Sequence, residues 1–484
     1  MKRTQRFICA ALFLAATNGC KDFLTGPGLT VNPNSPVTAS KEQFLASVAA
    51  SQQSLEEGGV AKALVSWAQQ MTGIARQSLT AQLYGFTELD VSAQFTRTYG
   101  GGGLVDILQA ERLAKVQGDS SFAGIAMVYE ALMMGRAASM WGDIPYSEAA
   151  GSIATPKLDP QERVYAAIQA KLDTAVAWIS KTGGANAGPG TTDLVYGGDR
   201  TKWTQAAYTL KARYAMHWVA AQLSGGTALA TIACGGDCLQ KTVDAATAGL
   251  SSSANDFRTF HSTSSTEWNF WYNFLVVYRP GDYSAGGTLV DTLKARRTAL
   301  GDKRVQAYFD SVIVGGLFDF RGANRNGVVP AGGTAFSVLS ATRLAQGFRQ
   351  PIVTAAENLL LLAEAQSRLG NDGPALVALN AAKAASAAAN GVAVPPAGAL
   401  SGAALLYEIK MEEWIVLFQN IEAWNAYKRN CVPRLTPAGT ATDIPGRLQY
   451  GVDERNANPN IPDPASQPTR NRNDPKACSD PAHA

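Results

Sequence analysis

Nine aromatic residues fall within the 31 positions from Asn255 to Ala285, in a chain that is 8% aromatic overall. They are Phe257, Phe260, Trp268, Phe270, Trp271, Tyr272, Phe274, Tyr278 and Tyr283. Flat aromatic faces cover the C–H faces of sugar rings, or the rings and prolines of peptides, at low entropic cost. Arg279 and Asp282, flanking Pro280 and Gly281 in a turn, could orient hydroxyls or carboxylates. Residues 268, 270, 272 and 274 alternate as one face of a β-hairpin strand would, so a buried strand is the competing reading for those four. Trp271 and Tyr278, off that phase, and Tyr283, in the turn, are then the better exposed candidates. A second surface runs from Gly73 to Tyr99, where Tyr84, Phe86, Phe95 and Tyr99 stand among Gln, Thr and Ser; a packed loop accounts for it equally well. The ligand-binding candidates are Trp268, Trp271, Tyr272, Tyr278, Tyr283, Tyr84 and Phe86.

Catalytic patterns are thinner. Glycoside hydrolysis needs an acid and a base or nucleophile flanking a cleft. Glu412 and Glu413 are adjacent on a helix and point in different directions. Glu413 falls in the stripe Leu406, Ile409, Leu417, Ile421 and Trp424, as a paired structural acid would. Asp143, in Trp141-Gly-Asp-Ile-Pro145, more simply tightens or caps the turn at a helix end. A Gly-X-Ser-X-Gly motif is absent, and Gly100–Gly103 lacks the Lys-Ser/Thr of a phosphate loop, which makes it a turn leading into a helix. The sequence therefore reads as a binding protein, with a secreted hydrolase using the same aromatic cleft as the alternative. His217, His261 and His483 are too few and too scattered for a His-rich metal site, and no catalytic, metal or cofactor residue is assigned.

The elements that must hold the aromatic segments are helical. Ala, Leu, Gln, Glu and Lys recur with helical spacing near 41–57, 60–72, 104–117, 121–141, 160–181, 201–223, 355–369, 373–390 and 402–429. In Glu357–Leu369, residues Leu359, Leu362, Ala363, Gln366 and Leu369 follow the i, i+3, i+4 pattern, with Glu364–Arg368 as an exposed i,i+4 pair. Gly370 is a C-cap candidate, and Asn371-Asp372-Gly373-Pro374 can start the next helix, which makes an antiparallel hairpin. Small residues such as Ala363, Ala365 and Ala375 let the helices approach. This resembles tetratricopeptide pairs, without a regular 34-residue period. The fold class is mainly α. Glycine-rich, aromatic stretches at 73–103, 183–200, 224–288, 314–350 and 430–484 read as long irregular loops, where function should be sought. The last of them, rich in Pro and Asn, should drape over the helical body.

Charge narrows the partners. The chain of 484 residues carries 42 Lys and Arg against 39 Asp and Glu. Residues 1–19 contain Lys2, Arg3 and Arg6 and no acid, so a form starting at Cys20 is neutral. A neutral body argues against nucleic acid, where phosphate neutralisation dominates affinity, and against an anionic membrane surface as the main partner.

Lys2–Arg6 followed by the apolar run Phe7–Ala16 reads as a signal peptide, too short to span a bilayer. Thr17-Asn18-Gly19 leads into Cys20 as a lipobox would, although Thr17 stands where a branched aliphatic residue is usual. Residues 1–19 are then a lipoprotein leader, Cys20 the lipidation site, 20–40 an extended arm and 41–484 a single domain. An ordinary secreted protein cleaved nearby is the alternative. In an exported protein the remaining even set of cysteines favours the disulfides Cys234–Cys238 and Cys431–Cys478; half a metal site is the competing reading of the first pair.

Five stretches then carry a family resemblance in order. They are Cys20-Lys-Asp-Phe-Leu24 with Pro27; Trp141-Gly-Asp-Ile-Pro-Tyr-Ser-Glu-Ala149; Thr288-Leu-Val-Asp-Thr-Leu293 with Gly301-Asp-Lys-Arg304; Arg349-Gln-Pro351 with Ala356-Glu-Asn-Leu-Leu-Leu-Leu-Ala-Glu-Ala365; and Glu413-Trp-Ile-Val-Leu-Phe418 with Glu422-Ala-Trp424, Tyr427-Lys-Arg429 and Pro433. Arg447-Leu-Gln-Tyr450 and Glu454-Arg-Asn456 close the set, with Gly451 where Pro is usual. Over residues 20–460 the chain resembles SusD/RagB outer-membrane lipoproteins. The resemblance implies a SusD-like α-helical scaffold of tetratricopeptide-like pairs. It also implies a cell-surface lipoprotein that caps a SusC-like TonB-dependent transporter and delivers oligosaccharides, or in some members peptides. No motif carries the family's ligand residues, so the aromatic candidates rest on composition, and nothing singles out the calcium site some members have.

Overall fold

The structure, a computed structural model, describes residues 39–330 and 335–480. The leader, Cys20 and nearly all of the arm lie outside the described residues. Among the described residues helices dominate, and the strands form only three two-stranded antiparallel pieces.

The helix Ser120–Trp141 runs through the centre. Almost every residue of it is buried, as a helix apolar on all sides requires. Asp119 caps it, accepting from Phe122 N at 3.0 Å and from Lys41 Nζ at 2.8 Å, which ties in the helix Lys41–Glu57. Leu104–Val116 and Gln161–Ile179 pack along its sides, and Arg200–Met216 crosses beyond them. The crossing is close because of Gly135: a Cβ there would lie 2.2 Å from the ring of Tyr214.

A second tier holds Cys238–Thr247, Ala355–Arg368, Asp372–Asn390 and Gly402–Val416, packed in succession. Ala355–Arg368 and Asp372–Asn390 form the expected hairpin. Thr354 caps the first helix, Gly370 adopts φ 82° just past its end, and Ala363, Ala365 and Ala375 are fully buried. Two details differ from the sequence reading. Leu360, Leu361, Ala363 and Glu364 of the first helix are buried, whereas Leu359 and Leu362 are only partly covered, because neighbours pack on more than one side. Arg368 does bond Glu364 (2.8 Å), but Glu364 is buried and shared with Arg429.

Three stretches expected to be irregular are partly helical, the C-terminal one through Val452–Ala457. Arg76–Gln82 and Glu88–Tyr99 occupy the first, and Thr227–Cys234 with Cys238–Thr247 the second. These helices are short, so their apolar periodicity spans too few turns to stand out. Cys234 and Cys238 are disulfide-bonded across the turn between the last two helices, where Asp237 accepts from Gln240 N. The second disulfide joins Cys431 to Cys478. It pins the C-terminal segment, which drapes over the end of the central helix: Arg447 Nε donates to Trp141 O (2.9 Å) and Asn471 Nδ2 to Ser139 O (2.8 Å).

Seven of the nine tryptophans are fully buried: Trp67, Trp141, Trp203, Trp218, Trp271, Trp414 and Trp424. Only Trp178 and Trp268 keep accessible surface.

Candidate functional site

The aromatic segment folds as a helical turn, not as the hairpin strand its alternation suggests. Asn269 causes this. Its Oδ1 accepts from Trp271 N (2.9 Å) and Tyr272 N (3.2 Å), capping the turn Phe270–Tyr272, which widens into a π-helical turn over Asn273–Tyr278. Its Nδ2 donates to Glu57 Oε2 (2.9 Å) and Phe348 O (3.0 Å), so the cap is held from both sides. Glu57 is completely buried at the end of Lys41–Glu57. Its carboxylate also meets Phe270 N (3.1 Å) and His261 Nε2 (2.9 Å), while His261 Nδ1 faces Glu267 O (3.0 Å). One carboxylate thereby clamps both ends of the stretch 261–270.

Helical winding changes which aromatic rings face water. Trp271 is 0% exposed and Tyr283 is buried, so neither is the exposed platform expected of it. Trp271 turns inward because the helical step places it opposite the outward face of its neighbours. Its ring meets Tyr283 edge-on at 5.9 Å and lies under Lys62 Nζ at 4.9 Å. Tyr283 sits in the strand Tyr283–Ala285, paired with Met71–Gly73, and that pairing joins the two aromatic segments. Lys62 is fully enclosed, donating to Glu57 O. Burial, opposed by Glu57, pushes its ammonium down to about 7.

The outward face carries Trp268 and Tyr272. Their rings meet edge-on at 5.3 Å; Trp268 Nε1 donates to Thr263 O (3.1 Å), and Tyr272 OH accepts from Gln346 Nε2 (3.1 Å). Val276 and Val277 continue the face, and Tyr278 at its end is 68% exposed. The result is an anchored ridge of two half-exposed rings, two valines and a free phenol ring.

Tyr84 and Phe86 belong elsewhere. Both are half-buried edge-on against Trp67, at 5.7 and 6.0 Å, and Tyr84 OH accepts from Ala438 N (3.0 Å). Tyr84 thereby braces the C-terminal segment. Phe95 is core, edge-on to Trp141 at 5.0 Å. A further apolar surface escaped the sequence reading: the hairpin Val312–Val314 and Leu317–Asp319 exposes Ile313, Leu317 and Phe318, the last at 80%. Its alternation is only three residues long on each side, too short to distinguish it from a buried strand.

The carboxylates weighed for catalysis are engaged in buried networks. Glu412 meets Arg304 (2.7 and 2.9 Å), Arg296 and Lys383 (3.2 Å). Burial opposes its charge, but these cations outweigh it and hold the carboxyl well below the usual range. Glu413 accepts from Arg429 Nη2 (2.6 Å) and Asn430 Nδ2 (2.8 Å); burial and the nearby Glu364 push its carboxyl above the usual range despite Arg429. Asp143 caps the following helix, accepting from Gln161 N (2.9 Å) and from Arg472 Nη2 (2.9 Å). Among the described residues no group of three or more His, Cys, Asp or Glu is placed to hold a metal ion, and no helix is long and apolar enough to cross a membrane.

Comparison with known proteins adds the lineage. Residues 33–451 match the model of a SusD-like family described as starch-binding and associating with the outer membrane. A SusD/RagB family protein of Bacteroides thetaiotaomicron is similar in structure at 21% identity and TM-score 0.70, over 91% of this chain and 98% of that one. A chitin-binding protein shares 20% identity at TM-score 0.73, over 90% and 100% of the two chains. A chitin-binding SusD homolog from Flavobacterium johnsoniae shares 19% at TM-score 0.69, over 91% and 99%. No curated protein sequence matches the chain.

Proposed function

The chain belongs to the SusD-like family, and on that premise we propose that it is a cell-surface lipoprotein that binds an oligosaccharide and passes it to a TonB-dependent outer-membrane transporter. The observation that carries the reading is the ridge of Trp268, Tyr272 and Tyr278. In a protein that buries seven of its nine tryptophans, Trp268 stands half-exposed on a turn fixed by Asn269 and Glu57. Two rings held in advance can cover sugar faces with little loss of freedom on binding. The family's description as starch-binding, and the chitin-binding relatives of like fold, favour a glycan over a peptide.

The anchor rests on the leader and Cys20. For the transporter, the exposed Ile313, Leu317 and Phe318 offer a contiguous apolar contact of the kind that marks protein interfaces. The burial of Glu412 and Glu413 favours binding over hydrolysis.

Two experiments test this reading. Purified protein incubated with maltooligosaccharides, chitooligosaccharides and peptides should retain at least one glycan and release no product; turnover would sink it in favour of a hydrolase. Gentle detergent extraction from the native membrane should bring down a large β-barrel, and a lone monomer would count against the transporter.

A further inference from the structure

Away from the ridge, a cleft of about 140 Å³ opens between the segments 253–258, 340–348, 385–390 and 416–420. Exposed Gln306, Thr342 and Ala389 rim it; Asp256, Ser386, Leu417 and Phe418 are buried in its wall. Its most telling residue is Arg343, 7% exposed. The guanidinium is sandwiched among the rings of Tyr308 (4.6 Å), Phe418 (5.0 Å) and Phe348 (5.5 Å). Its hydrogen bonds go to two neutral amide oxygens, Gln419 Oε1 (2.8 Å) and Asn390 Oδ1 (2.9 Å). No carboxylate pairs with it among the described residues.

That is an unusual state for a buried cation. Charges taken out of water are normally paired, and this molecule pairs the buried arginines Arg136, Arg213, Arg304 and Arg429 with acids; the similarly buried Arg447 instead bonds Trp141 O and Gln467 Oε1 over the Tyr450 ring, outside this cleft. Burial pushes Arg343 down to about 10, with Arg258 adding to the effect. The surroundings are also built to hold it. Gln419 sits at φ 66°, a conformation non-glycine residues rarely adopt unless their neighbours impose it.

Two further groups favour an anion here. Arg258, half-buried, lines the same cleft; among the described residues its ion pair is with Asp256, at 3.3 Å. Ala356, in the first turn of Ala355–Arg368, lines it as well, at the positive end of that helix. Asp256 is the opposing charge, but its carboxylate already accepts from Ala355 N at 2.9 Å and meets Arg258. Two cations thus face one engaged acid. A cavity near 150 Å³ admits a molecule about the size of benzene, so the occupant is at most one ring.

We infer that this cleft binds the carboxylate of a small organic acid of at most one ring, with Arg343 as the buried counter-charge and Arg258 as the second, half-buried one. The planar fork of a guanidinium matches a carboxylate, and such charge-assisted bonds are the stronger kind. The cleft shares Phe348 with the anchor of the aromatic ridge, whose Asn269 donates to Phe348 O, but none of the exposed ridge side chains lines it. The carboxylate could belong to a sugar acid or to a simple aliphatic acid.

Calorimetric titration of the full mature chain with glucuronate, glucose, acetate and phosphate at matched ionic strength tests the inference. Glucuronate should bind at least tenfold more tightly than glucose. Arg258→Gln should weaken it about tenfold, and Ala389→Trp, at an exposed rim position, should abolish it by filling the mouth. Acetate binding as well as glucuronate would assign recognition to the carboxylate alone; glucuronate binding better would assign it to a sugar acid. Equal binding of glucose, equal binding of phosphate, or glucuronate affinity unchanged in both variants would overturn the inference.

Discussion

Replacing Glu57 with Ala should release the aromatic turn from the helical body. The carboxylate accepts from Asn269 Nδ2, Phe270 N and His261 Nε2, and it is fully buried, so water cannot take its place. Breaking a buried charged network of this kind costs about 3–5 kcal/mol, mainly because the remaining donors are left unpaired. A chain of this length gains roughly 1 kcal/mol/K of unfolding entropy at its midpoint. The expected fall in melting temperature is therefore about 3–5 °C, read by differential scanning calorimetry. Glu57→Gln keeps an oxygen that can accept from Asn269 and Phe270 while losing the charge, and should fall about half as far. Hydrogen exchange should localise the effect: amides of 262–278 should exchange at least tenfold faster in Glu57→Ala. A normal melting temperature, or unchanged exchange over 262–278, would refute the idea that this carboxylate positions the ridge.

Trp271→Ala should lower stability by about 3–5 kcal/mol as a buried aromatic truncation, whatever ligand is present, whereas Tyr278→Ala should leave the melting temperature within 1 °C or so; thermal melts of the two side by side check this. Lys62, lowered to about 7 from 10.5, makes the unfolded chain bind more protons than the folded one between those values. Stability from this group should therefore rise as pH increases through that window. Lys62→Met should flatten part of the rise in melting temperature between pH 7 and 9, with Lys428, also about 7, and Lys410, about 8, supplying what remains. Removing the Cys431–Cys478 crosslink, with a sequence separation of 47, should cost about 4 kcal/mol, against about 2 kcal/mol for Cys234–Cys238 with a separation of 4. Urea unfolding of the two double Cys→Ser variants would reveal an opposite order.

The scaffold was legible because its longer helices repeat their apolar spacing over many turns: Lys41–Glu57, Ser120–Trp141 and Asp372–Asn390 all lie within a residue or two of the sequence reading. Both disulfides were legible from the even set of cysteines that remains when the N-terminal stretch is read as a leader. The site was legible only as a region. Alternation at 268, 270, 272 and 274 looked like a strand because helical and strand periods cannot be separated over seven residues. What decided the matter was Asn269, a helix cap whose effect depends on Glu57, more than two hundred positions away. That contact turns Trp271 inward and Trp268 outward, the reverse of the order alternation suggests. Arg343 was hidden for a similar reason: a buried cation without an acid shows only when every neighbour is in place.

Isothermal titration with maltoheptaose and chitohexaose, comparing the wild-type chain with a Trp268→Ala/Tyr278→Ala variant, tests the central claim most directly. The account predicts saturable binding of at least one of these oligosaccharides, weakened at least tenfold in the variant while its melting temperature stays the same. Equal affinity in the two proteins would contradict it.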